Sequence, residues 1–118
     1  MSEKWTIEYY RTASGRAPVE KFVENLTTNA QIKISDALDL IKEFGTSLGL
    51  PHVKKVTKTP LWELRTLGQD NIRIFYVAKT GSTFLLLHGV QKKKQKTDKK
   101  EIETALKRLA EYQIRSKS

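Results

Sequence analysis

The longest patterned stretch of the chain runs from Leu61 to Lys96, where three strand-like runs follow one another between turn signals. The first, Leu61 to Leu67, ends in Gly68-Gln69-Asp70-Asn71, whose Gly, Asp and Asn accept tight-turn backbone angles. The second, Ile72 to Val77, is rich in β-branched and aromatic residues, and Lys79-Thr80-Gly81-Ser82 separates it from the third, Thr83 to Val90. This pattern predicts a three-stranded antiparallel meander. Side chains alternate across a strand, so Trp62, Leu64 and Thr66 share one face and Glu63 and Arg65 the other. In the second run Ile72, Ile74 and Tyr76 lie opposite Arg73, Phe75 and Val77. With pairing kept in register across the turn, Arg65 and Arg73 become cross-strand or diagonal neighbours on one face. The same alternation puts His88 on the face of Phe84 and Leu86.

Around this core the period changes from strand to helix. Trp5 to Tyr10 is a short β-prone run, expected to join the same sheet. Pro18 suits a first helical position, and Val19, Phe22, Val23 and Leu26 follow at amphipathic spacing. Thr27-Thr28-Asn29 interrupts that helix and offers a new cap for a second, from Ala30 to about Phe44, with Ile34, Ala37, Leu38, Ile41 and Phe44 as its apolar stripe and Gly45 as its stop. The two helices read as a hairpin covering one face of the sheet. Between Gly45 and Pro60 the periodicity dissolves into a loop that carries His52, Lys54, Lys55 and Lys58. After the third run, Thr97 or Asp98 caps a last helix, and Asp98 followed by Glu101 fits capping-box spacing. Its apolar stripe is Ile102, Ala105, Leu106 and Leu109, with Lys107, Arg108 and Glu111 on the solvent side and a frayed tail from Ile114. That helix either closes the core or docks a partner. The whole is an α+β fold in one domain, residues 1–118: a small antiparallel-rich sheet, an N-terminal helical hairpin and a C-terminal helix.

Charge changes this picture more than composition does. The chain has 118 residues, enough for a single core without disulfides or metal staples. Its formal charge of +9 favours nucleic acid or an acidic protein as partner. Lys92, Lys93, Lys94 and Lys96 follow the third run with no acid before Asp98, as a polyanion-binding edge would, or as a run serving solubility alone. Cysteine is absent, which removes disulfides, thiolate catalysis and Cys-based zinc sites, and two histidines are too few for a multi-histidine metal site. No cofactor or metal is therefore expected. No apolar run approaches a membrane span and no signal-peptide core precedes Trp5, so the chain is read as cytoplasmic.

The order of runs, together with Leu64-Arg65, Arg73-Ile74-Phe75-Tyr76, Leu87-His88 and Lys93-Lys94-Gln95-Lys96-Thr97, resembles the RelE/ParE toxin superfamily, in its HigB-type or phage Gp49-like branch. The resemblance covers nearly the whole chain. It implies a RelE-like toxin of a type II toxin–antitoxin pair. Most similar members are mRNA interferases that act in the ribosomal A site, and the ParE-like members inhibit DNA gyrase instead. The lysine-rich motif favours the RNA-cleaving branch; a gyrase inhibitor and a non-catalytic basic nucleic-acid-binding module are the alternatives. The implied partners are the ribosome, mRNA and a cognate antitoxin, a helix-turn-helix protein of HigA type.

Metal-free RNA cleavage requires deprotonation of a ribose 2′-OH, stabilisation of charge on the phosphorane and protonation of the leaving 5′-oxygen. Arg65 and Arg73 suit the middle step, because a planar guanidinium grips two phosphate oxygens and stays charged. In the blander reading Arg65 pairs with Glu63 or a helix carboxylate and Arg73 is a solvated edge residue. For proton transfer the candidates are His88, with an ordinary pKa of about 6.5, and a lysine depressed by its cationic neighbours, Lys93 or Lys94. His52 is a further candidate, and Tyr76 is placed on the core face. Lys54, Lys55, Lys58, Lys92, Lys94 and Lys96 are the expected RNA- and ribosome-binding residues.

Overall fold

A computed structural model describes residues 4–66, 68, 70–92 and 99–117. Five strands form one sheet: β1 (Thr6–Tyr9), β2 (Val53–Lys55), β3 (Trp62–Arg65), β4 (Ile72–Lys79) and β5 (Thr83–Gln91), in the order β1-β5-β4-β3-β2. The expected meander is β3-β4-β5, and β1 joins it parallel to β5. Three helices complete the α+β fold: α1 (Pro18–Glu24), α2 (Thr28–Phe44) and α3 (Lys99–Ser116).

β4 is the middle strand, and Ile72 to Val77 are all buried. Its continuous β-prone sequence follows from that place, since both of its faces are covered. Ile72, Ile74 and Tyr76 join Leu64, Phe84 and Leu86 under α1 and α2, while Phe75 and Val77 join Leu85 and Leu87 under Ala105 and Leu109 of α3. The last helix thus closes a second core layer. Thr27 caps α2, its hydroxyl accepting the Ala30 N–H at 3.2 Å. α1 makes its main contacts with β5 and fewer with α2, so the sheet organises this layer more than a self-contained hairpin does. Gly89 makes that seat possible: a Cβ there would stand 2.5 Å from the Phe22 ring.

Three expectations need correction. The segment from Gly45 to Pro60 is not loop throughout, because Gly45–Ser47 forms a 3-10 turn and Val53–Lys55 adds an edge strand to β3. Three residues are too few to carry a readable alternation. The tail is helical to Ser116, held where Glu111 accepts from the Tyr10 hydroxyl at 2.6 Å and pairs with Arg115 at 2.5 Å. Arg108 accordingly faces the sheet rather than solvent, its Nη1 donating to the Leu87 carbonyl at 2.8 Å, while Glu111 keeps 37% of its side chain exposed.

Candidate functional site

Antiparallel pairing sets Arg65 directly opposite Arg73, with Leu64 opposite Ile74 and Glu63 opposite Phe75. Two like charges facing each other on a sheet repel, and the compensation comes from within β3. Glu63 is buried, and its Oε1 lies 2.5 Å from Arg73 Nη1 and 3.7 Å from Arg65 Nε. One carboxylate oxygen therefore faces both guanidiniums. Arg73 is a buried residue of the middle strand, not a solvated edge residue, whereas the Arg65 side chain keeps 30% of its surface exposed.

Both arginines line a shallow cavity of about 220 Å³, completed by Pro51, Thr66, Gly68 and Asn71. The turn on its rim is held in several ways. Thr66 exchanges backbone and hydroxyl bonds with Ile72, Asn71 adopts φ of 50°, and Gly68 adopts φ of 97°. Lys33 of α2 bridges to Asp70 at 2.8 Å, and the Gln91 side-chain amide donates to the Asp70 carbonyl at 3.1 Å. On the far side the Arg65 N–H donates to the His52 carbonyl at 2.8 Å, which ties the 51–52 segment to the rim. A pocket with a cationic floor and a polar, braced rim is suited to an anion such as a phosphodiester.

His88 is not on the Phe84 and Leu86 face. A β-bulge shifts the β4-β5 register between Phe75 and Tyr76, so Phe75 pairs with His88 but Tyr76 with Leu86. The extra residue turns His88 toward α3, where it stacks on Phe75 with ring centroids 6.2 Å apart. Its Nδ1 lies 3.1 Å from Arg108 Nη1 and its Nε2 2.7 Å from Glu101 Oε1. Arginine only donates, so Nδ1 accepts and the ring proton sits on Nε2, donated to Glu101. Burial pushes the imidazole below its ordinary pKa and nearby Arg108 adds to this, with the Glu101 bond opposing. His88 is thus a neutral strut between β5 and α3, separated from Glu63 by Phe75 along the row of paired residues.

The lysines divide. Lys54 is exposed on β2 opposite Glu63, on the arginine face. Lys55 is opposite Trp62, donates to the Thr59 carbonyl at 2.5 Å and lies 5.2 Å from the Trp62 ring centroid. Lys58 is exposed, with φ of 65°. Lys92 is buried at 7% exposure, contrary to its expected place on an RNA-binding edge, and its N–H continues the β5 ladder to the Asn71 carbonyl at 2.8 Å. Lys93, Lys94 and Lys96, with the caps Thr97 and Asp98, lie outside the described residues. Tyr76 is buried as expected, which raises its hydroxyl pKa above the ordinary phenol range. Among the described residues no group of three or more His, Asp or Glu side chains gathers as a metal site.

Sequence reasoning did not single out Glu63 as part of the site, although its parity with Arg65 and its place two residues before it were readable. A wider groove of about 930 Å³ lies between the β1–α1 loop, α1 and Arg108, and there Glu20 and Glu24 offset Arg16 and Lys21. It has no counterpart to the directly paired arginines of the smaller cleft.

The central hairpin of this small α+β domain thus presents paired arginines at a braced cleft. Residues 21–110 match the family of phage derived Gp49-like proteins. The chain belongs to that family, a branch of the RelE/ParE-like toxins, and membership is consistent with the toxin of a toxin–antitoxin pair that has a cognate antitoxin. No curated protein matches the chain significantly. None of the described helices is long and apolar enough to cross a membrane.

Proposed function

We propose that this chain is the toxin of a type II pair and acts as a metal-independent, ribosome-dependent mRNA endoribonuclease that stops translation. The observation that carries this reading is the direct pairing of Arg65 and Arg73 on the floor of the cleft. In it the scissile phosphate lies against Arg65, with Arg73 behind it, and the two guanidiniums stabilise the charge that develops on the phosphorane. Proton transfer is assigned to Lys93 ahead of His88, both of whose ring nitrogens are already engaged. Lys54, Lys55 and Lys58 on one flank, and Lys94 and Lys96 after β5, supply attraction to RNA and the ribosome. The antitoxin is of the helix-turn-helix HigA type, and the site of action is the cytoplasm.

Brief expression in cells, with mapping of new mRNA 5′ ends, tests the proposal. Cuts confined to translated frames, in codon phase and lost in Arg65→Ala, are the expected result. Growth arrest with intact mRNA and DNA damage would move the activity to gyrase. Normal growth with intact mRNA would leave a binding module.

A further inference from the structure

A buried carboxylate does not belong beside a phosphate site unless it does something there, because it repels the ligand that the arginines attract. We infer that Glu63 is a positioning residue: an internal counter-ion that fixes Arg73 and holds the arginine pair below its full pull on a bound phosphodiester. The inference rests on the reading of the cleft as a phosphodiester site.

The geometry carries three steps. Glu63 is 3% exposed, so it does not reach a ligand itself and acts through the arginines. Its Oε1 holds Arg73 Nη1 at 2.5 Å and stands 3.7 Å from Arg65 Nε, a charge-assisted bond to one guanidinium and a Coulomb contact with the other. Backbone pairing fixes both arginines across from each other, so one carboxylate on β3 sets the field of both. Lys54, opposite Glu63 on β2, is a further cation on this face.

Catalysis gains only from interactions stronger in the transition state than in the ground state. An arginine pair without an internal anion grips the singly charged ground-state phosphodiester tightly and follows it. Glu63 weakens the grip in both states, so the gain in turnover lies in its fixing of Arg73, which is aimed before charge builds on the phosphorane. The signature is a split between binding and turnover that a merely structural ion pair does not produce.

The test uses the whole chain, a single-stranded 2′-O-methyl oligoribonucleotide, which lacks the attacking hydroxyl, and programmed ribosomes. Glu63→Gln is expected to bind the oligonucleotide roughly three- to tenfold more tightly, the range for deleting a charge a few ångströms from the phosphate under protein-edge screening. KM on programmed ribosomes falls with it, and kcat falls about tenfold or more. Glu63→Asp keeps the charge but withdraws the carboxylate: its affinity stays at the wild-type value while kcat falls. Because Glu63→Gln removes a negative charge from beside Arg73, melting with sodium phosphate against sodium chloride at equal ionic strength is read alongside, and phosphate stabilises this variant more than wild type. Should Glu63→Gln not fold, Glu63→Asp decides alone, and unchanged kcat there overturns the inference. Unchanged affinity and kcat in Glu63→Gln, or weaker binding with a proportional loss of kcat/KM, also overturns it. If wild type cuts no RNA on any ribosome but the affinity gain of Glu63→Gln persists, cleavage fails as a reading and the counter-ion role stands.

Discussion

Arg73 has its guanidinium against a buried carboxylate, and Arg65 stands half in solvent on the next strand, so truncating the two has different consequences. Arg73→Ala removes a charge-assisted bond from the buried Glu63 carboxylate, and loss of one member of such a pair destabilises by about 3–5 kcal/mol. Arg65→Ala removes a partly screened contact and is expected to change stability by no more than about 1 kcal/mol. Thermal melting of the two variants checks this, and equal melting points would remove the asymmetry. For the same reason Arg65→Ala is the cleaner probe of activity. His88 adds a pH term. Its folded pKa lies below the unfolded value of about 6.5, so the unfolded chain binds the extra proton first. Its contribution is complete above the unfolded value and declines as pH falls below it toward the folded pKa, because a proton on Nδ1 would face Arg108. Melting temperature should drop between pH 7.5 and 5.5, and His88→Gln should flatten that slope; an equal slope in the variant would refute the assignment.

At the level of elements, the parts legible in the sequence were those whose pattern is long enough to set a phase. β3 and β4 flank a defined turn, so with pairing kept in register parity made Arg65 and Arg73 cross-strand or diagonal neighbours on one face, and the structure has them directly opposite. Of the α2 stripe, Ile34, Ala37 and Ile41 are buried with Leu38 packed against them, whereas Phe44, at the helix end, is exposed. What escaped reading was local. One extra residue at the Phe75/Tyr76 register shift moves His88 to the other face, and alternation counted from Phe84 carries no trace of it. β2 is too short to show a period, and residue type alone gives no sign that Lys92 is buried at the end of the β5 ladder. Glycine offers a sharper test of element packing than parity does. Gly89→Ala would place a methyl 2.5 Å from Phe22 Cδ2, forcing α1 away from β5. A loss of about 1–3 kcal/mol is expected from such overpacking, measured by denaturant unfolding. Pairing it with Phe22→Ala, which removes the obstructing ring, should make the glycine change nearly neutral; full additivity would mean that α1 does not rest there.

Across the whole molecule, a formal charge of +9 says that polyanions are attracted but not where they lie. The fold decides which cations take part. Lys54 and Lys58 are exposed, with Lys54 on the arginine face, while Lys92 is folded into the end of the sheet. Each phosphate contact with a single strand contributes a slope of roughly −0.7 to the dependence of log affinity on log salt. Lys54→Ala should therefore weaken binding of a single-stranded oligoribonucleotide and flatten that slope by about one contact, whatever the base sequence. Lys92→Ala should leave the slope unchanged and lower the melting temperature instead. Anisotropy titrations at several salt concentrations separate the two, since a lysine that holds phosphate changes the slope and a lysine that holds structure changes the melting point. The reverse pattern, with Lys92 governing the slope, would move the RNA path away from the arginine cleft toward the end of β5.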